Sequence, residues 1–158
     1  MREAPRKRIS KRALPVWRIS AALTSGIGWL TVIALFVMSS IYQWPIWISL
    51  VVLVLSVIET TLTVFIIPSV RWKRWRYEVF EHEIEIQHGV FVMTRTIIPM
   101  MRVQHVDTKQ GPILRAYHLA SVTISTAATV HEIPALDLDE ADQLRDFISK
   151  LARVDDDV

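Results

Sequence analysis

The sequence has no cysteine, which excludes a disulfide framework, thiolate chemistry and any cysteine-ligated metal. Its four glycines leave no phosphate-cradling run and little for an oxyanion loop. No His-Glu-x-x-His, acidic metal loop or nucleophile elbow is present, and His82 and His88, six residues apart, are too distant for joint ligation on one straight strand. No catalytic residue, metal ligand or cofactor is therefore expected. A basic face interleaved with aromatics occurs only at 71–77, where a membrane explains it better than a nucleic acid.

Charge is also missing, in two long runs. Residues 19–41 carry none, and residues 46–67 carry only Glu59. At 1.5 Å per residue the second run makes about 33 Å of helix, enough to cross a hydrocarbon core of about 30 Å. With 51% hydrophobic residues in 158, the chain has room for a transmembrane hairpin and one small domain. The first run is too long for a signal-peptide core and has no convincing cleavage site, so it is expected to be retained.

The two runs are separated only by Tyr42-Gln43-Trp44-Pro45, a tight uncharged turn, so the helices must be antiparallel. Arg2, Arg6, Lys7, Arg8, Lys11, Arg12 and Arg18 precede the first run, and Arg71, Lys73, Arg74 and Arg76 follow the second. The positive-inside rule then places both termini in the cytoplasm of a multi-pass cell-membrane protein. Trp17, Trp72 and Trp75 are expected at the inner interface, with Tyr42, Trp44 and Trp47 at the outer one. Ser25, Gly26 and Gly28 form a small-residue patch suited to close helix contact. Glu59, near Thr60, Thr61 and Thr63, is expected either to be tolerated by protonation or wetting, or to make a polar contact with another transmembrane helix.

The divisions expected are a flexible basic tail at 1–18, a hairpin at 19–67 (spans 19–41 and 46–67), a basic aromatic junction at 68–76, a soluble domain at 75–152 and an acidic tail at 153–158. Within the domain, alternation in 83–88 predicts a half-buried strand with Ile84 and Ile86 inward and Glu83 and Glu85 outward. A hairpin turn at His88-Gly89 leads into a predicted strand over 90–98. Further strands are predicted at 76–80, 100–108, 119–126 and 130–133. Asp137-Leu-Asp-Glu140 resembles a capping box, and Ala141, Leu144, Ile148 and Leu151 recur at helical spacing. Short strands closed by one helix predict a small α+β domain, a barrel or two packed sheets.

The run Ile98-Pro-Met-Met-Arg102-Val-Gln104, continued by Leu114-Arg-Ala-Tyr-His-Leu119 and Val122-Thr-Ile-Ser-Thr-Ala-Ala128, resembles the bacterial pleckstrin-homology-like membrane family. The match is to its short YdbS-type form, with two transmembrane helices and one domain. The resemblance implies a cytoplasmic pleckstrin-homology-like small β-barrel closed by a C-terminal helix. It also implies a larger multi-helix relative with several copies of the domain as partner. His118 stands where that pattern commonly has glycine, and Ala128 where it has Thr-Ala-Gly, both at turns.

Pro99, Arg102 and Gln104 lie in the motif, with Arg102 and Gln104 on one strand face. They are expected either to satisfy groups within the barrel or to form an inter-domain contact. The function expected is a non-enzymatic integral membrane scaffold or assembly subunit. Its partners are the lipid bilayer and a larger relative or a second copy, with no nucleic acid. Envelope protection is compatible with this role, although no residue encodes it. The alternative is a membrane-anchored reader of phospholipid headgroups, but Glu78, Glu81, Glu83 and Glu85 crowd the first hairpin and an anionic leaflet would repel them.

Overall fold

A computed structural model describes residues 3–156, with side chains to residue 153. The chain divides into two compact units. One is formed by residues 17–70, the other by residues 1–16 together with 71–158.

The first unit is helical because its sequence offers the backbone nothing but itself to bond in an apolar setting. Helix α1 spans Ala13–Tyr42, and a second continuous helix is made of α2 (Ile46–Thr60), a π-helical turn (Thr61–Ile66) and α3 (Ile67–Arg74). Both helices are long and apolar enough to cross a membrane. Gln43 takes a left-handed conformation (φ 55°) in the turn between them. The π turn has a physical cause in Pro68. A proline ring collides with the carbonyl four residues back, and widening the preceding turn makes room for it. The widened turn bonds Ile67 N–H to the Leu62 carbonyl, while Thr61, Thr63 and Ser69 hydroxyls donate to carbonyls four residues back. The basic stretch expected as a separate junction at 68–76 is therefore largely a continuation of the helix, through Arg74.

The second unit holds two antiparallel sheets among the described residues. The first has the order β1 (Lys7–Arg8), β2 (Arg76–Val79), β3 (Glu83–His88), β4 (Thr94–Pro99). The second has β5 (Val103–Lys109), β6 (Leu119–Thr126), β7 (Val130–Asp137). Among the described residues no ladder joins them, so of the two expected forms, a barrel or two packed sheets, the ladders give the two sheets. A 3-10 turn, Met100–Arg102, carries the chain from one sheet to the other, and fully buried Met100 bonds through its N–H to the His82 carbonyl. Helix α4 (Pro112–Ala116) links β5 to β6. Helix α5 (Leu138–Asp156) packs on the second sheet and on the 3-10 turn, burying Ala141, Leu144 and Ile148. The expected acidic tail at 153–158 is helical in backbone to Asp156 and otherwise lies outside the described residues.

Among the described residues, the stretch expected as a free tail at 1–18 is tied to the domain from residue 3 onward. Lys7 and Arg8 pair with Tyr77 and Arg76, so the helical hairpin is an insertion between two neighbouring strands of one sheet. Around β1, Pro5 and Ile9 are buried and the Ser10 N–H reaches the Ala135 carbonyl at 3.2 Å. Ala135 is itself left-handed (φ 51°), which kinks β7 after Pro134 and turns that carbonyl out of its ladder. This segment also overturns the outward placement of Glu85. Its side chain is buried because residues 3–6 cross that face of the first sheet.

The run at 90–93, expected as the start of a strand, is instead the tip of the β3–β4 connection. His118 is left-handed (φ 54°), as a position that commonly holds glycine would be, whereas Ala128 is not.

Helix α5 is tied to the first sheet by Tyr77, whose hydroxyl donates to Glu140 Oε1 at 2.8 Å. Burial, reinforced by Glu140, pushes the Tyr77 phenol above its usual value, so the folded domain holds that proton more tightly than the unfolded chain does. The resulting stability is fully present below about pH 10 and is lost as pH rises beyond it. Tyr77→Phe should lower stability by about 1–2 kcal/mol at pH 7 and flatten the alkaline decline, as read from hydrogen exchange of β2 amides in the full chain.

Candidate functional site

Proline ends β4 because it cannot extend the ladder, and the 3-10 turn after it redirects the chain. This places Pro99, Arg102 and Gln104 around a cleft of about 600 Å³, together with Thr126, Thr129 and His131. The first and last stretches of the motif, separated in sequence, thus meet at one place. Arg102 and Gln104 are exposed, and among the described residues neither makes a side-chain hydrogen bond. They satisfy no group within the domain among the described residues, and the bend after Pro99 is held without them. Buried Met100 holds it, from a position that was not singled out in the sequence. Across the cleft the turn is self-satisfied: Thr129 N–H donates to Thr126 Oγ1 at 3.1 Å, and Thr129 Oγ1 lies 2.8 Å from His131 Nε2. Strand β4 is the edge of its sheet, and Ile97, Met101 and Val130 are exposed nearby. The arrangement offers a cation, an amide and an unpaired strand edge, which suit an acidic or extended polypeptide.

The first hairpin adds acidity at this same end. Glu83 of β3 pairs with Pro99, so the Glu81-His82 turn lies beside the motif. A cavity of about 940 Å³ there is lined by Glu78, Glu81, Glu83 and Glu85, with Arg6 and Arg95. Glu85 is neutralised by Arg95 at 2.6 Å, and Glu78 accepts the Arg6 N–H at 3.2 Å.

In the helical unit, Glu59 Oε1 accepts from Ser25 at 3.2 Å and Oε2 accepts from Thr60 at 3.4 Å, while Thr63 Oγ1, which donates to the Glu59 carbonyl, lies 3.2 Å from Oε1. Trp29 Nε1 donates to Thr60 Oγ1 at 3.0 Å. Ser25 is buried in the seam between α1 and α2, where it joins Glu59, while Gly26 and Gly28 face open space and make no close helix contact. Glu59 is therefore bonded to the other helix of its own hairpin, yet its residue remains exposed on the outer surface. Both expectations for it are modified: it has polar partners, and they come from this chain.

The family model for the bacterial PH domain matches residues 19–152, which takes in most of α1, the second apolar helix, strands β2 to β7 and most of α5. The chain belongs to the bacterial PH domain family. It is 59% identical over 157 residues to UPF0699 transmembrane protein YdbS of Bacillus subtilis (strain 168), covering 99% of each chain. It is also 26% identical over 85 residues to UPF0699 transmembrane protein YdbT of the same organism, covering 51% of this chain but 17% of that protein. No solved structure gives a significant match.

For a membrane protein of the bacterial PH domain family, the aromatic belt needs one correction. Tyr42, Trp44 and Trp47 are exposed around the inter-helix turn, with the Tyr42 and Trp44 rings 6.3 Å apart. Trp17 is half-buried. Arg71, Lys73 and Arg74 are exposed and Arg76 half-buried. Trp75, however, is buried in the PH domain and stacks on His88 at 6.0 Å. Trp72 is half-buried, donating to the Ser10 carbonyl at 3.1 Å beneath the Arg8 guanidinium. These two rings hold strand β1 and the β3–β4 end of the domain, a role that alternating Trp and Arg in sequence does not reveal.

Proposed function

We propose that this protein is a non-enzymatic membrane scaffold. It acts as a subunit of a larger assembly whose PH domain, on the cytoplasmic side, docks the like domain of a bigger relative or of a second copy. The observation that carries this reading is the cleft in which Arg102 and Gln104 stand exposed without a hydrogen-bond partner among the described residues. Side chains that line a cleft without bonds inside the fold are available to a ligand. The acidic hairpin next to this basic cleft gives the end of the domain two complementary patches, which suits domain-to-domain contact. YdbT supports the choice of partner, being a much longer protein with a region similar to half of this chain. The cytoplasmic assignment rests on the basic residues at both outer ends of the hairpin and on the uncharged turn. Headgroup reading is disfavoured by Glu78, Glu81 and Glu83, which an anionic leaflet repels.

Replacing both motif side chains, Arg102→Glu with Gln104→Ala, is expected to change stability by no more than about 0.5 kcal/mol, since both are exposed and unbonded. Recovery of the co-purifying partner from mild detergent should fall by about tenfold, the effect of losing roughly 1.4 kcal/mol. Glu59→Leu should leave membrane insertion intact while weakening the same recovery, because the exposed face of Glu59 is the polar surface the hairpin offers another helix. Unchanged recovery in both variants would refute the scaffold reading.

A further inference from the structure

The connection between β3 and β4 is unusual for a surface turn. Phe91 is 91% exposed and Val92 is 76% exposed, with Met93 exposed beside them. Isolated exposed apolar residues are ordinary, but consecutive large ones at a tip are a patch looking for an apolar phase.

The tip is built to hold its shape. Gly89 has φ 143°, and a Cβ there would sit 1.9 Å from the Val92 carbonyl oxygen, so only glycine lets the chain fold back so closely. The Arg74 guanidinium donates to the Val90 carbonyl, and His88 stacks on Trp75. These contacts fix the tip to the residues at which the long helix ends. Arg74 closes the continuous helix that carries the second apolar run, seven residues past Ile67, about 10 Å along a helix. The surroundings have the matching charge: Arg8 pairs with Arg76 at this end of the sheet, and residues 86–98 contain no carboxylate. Apolar side chains rimmed by arginines are the composition of an interfacial anchor.

We propose that the apolar tip at 89–93 inserts Phe91 and Val92 into the headgroup–acyl boundary of the leaflet in which the helix through Arg74 ends. It forms a third membrane contact beside the two spans and fixes the tilt of the PH domain on the bilayer. The occupant is the lipid surface, because the tip is held by the residues that leave the span.

The absence of cysteine makes the test direct. Phe91→Cys gives a unique labelling site, as does Ala128→Cys in the β6–β7 turn at the opposite end of the domain. The full chain carrying an environment-sensitive fluorophore at either site is reconstituted in phosphatidylcholine–phosphatidylglycerol vesicles. At position 91, doxyl-labelled lipids should quench emission severalfold more than at position 128, and aqueous iodide severalfold less. Iodide access at 91 equal to that at 128 would overturn the proposal. Shielding from iodide without quenching by doxyl lipid would also overturn it, by showing that the tip is covered by another protein surface.

Discussion

Replacing Ile9 with Asp should unfold most of the soluble domain while leaving both spans inserted. Ile9 is 3% exposed, and the segment that carries it crosses the domain from one sheet to the other. The Glu3 carbonyl accepts from Arg95 at 2.8 Å, β1 pairs with β2, and Ser10 Oγ donates to Asp137 Oδ1 at 3.0 Å. Arg12 reaches the Tyr117 carbonyl at 3.3 Å. Truncating one buried isoleucine to alanine costs about 2–5 kcal/mol, and burying a carboxylate in its place costs more. Ile9→Ala should therefore accelerate hydrogen exchange of β2 and β3 amides by at least about thirtyfold in the full chain, and Ile9→Asp should abolish their protection. A fragment limited to 75–158 should be poorly packed for the same reason. Joining residues 3–13 to 71–158 through a flexible linker should restore the fold. Unchanged protection in Ile9→Asp would mean that the N-terminal strand adds nothing to the domain.

The second large effect is expected at the Glu85–Arg95 pair. Glu85 is 2% exposed, and Arg95 holds it at 2.6 Å while also donating to the N-terminal segment. Removing one member of a buried pair costs about 3–5 kcal/mol, whereas replacing both by apolar residues is often neutral. Arg95→Ala should thus destabilise the domain by about 3 kcal/mol, read as a roughly 150-fold rise in amide exchange of β3 and β4. Glu85→Leu combined with Arg95→Met should recover most of that loss. If Arg95→Ala behaves like the unaltered protein, the pair is a surface contact in solution and the segment at 3–6 does not cover it.

These two sites also show where sequence stops being legible. The spans could be read because an uncharged run long enough to cross a bilayer has few other uses. Strand β3 could be read to its ends, since Ile84 and Ile86 alternate with polar residues. The same alternation misplaced Glu85, because period two says which residues share a face but not whether that face is covered. Its cover comes from residues 3–6, on the far side of the helical hairpin in sequence. Strand β1 was invisible for a related reason: two basic residues between prolines look like a topogenic tail, and their partner strand is remote.

Val90, Phe91 and Val92 read as strand because β-branched and aromatic residues favour it. Gly89 instead closes a tip that exposes them. The motif was the most informative part of the candidate site. Pro99, Arg102 and Gln104 could be named from sequence, whereas their meeting with Thr129 and His131 depends on how two sheets face one another.

The most direct measurement is the native mass and composition of the affinity-tagged full chain, isolated from its own host membrane in mild detergent. A scaffold subunit should emerge in a stoichiometric complex with a longer chain bearing bacterial PH domains, or as a defined oligomer, and Arg102→Glu with Gln104→Ala should reduce either complex. A lone chain in a detergent micelle, identical for the unaltered protein and the double variant, would contradict it.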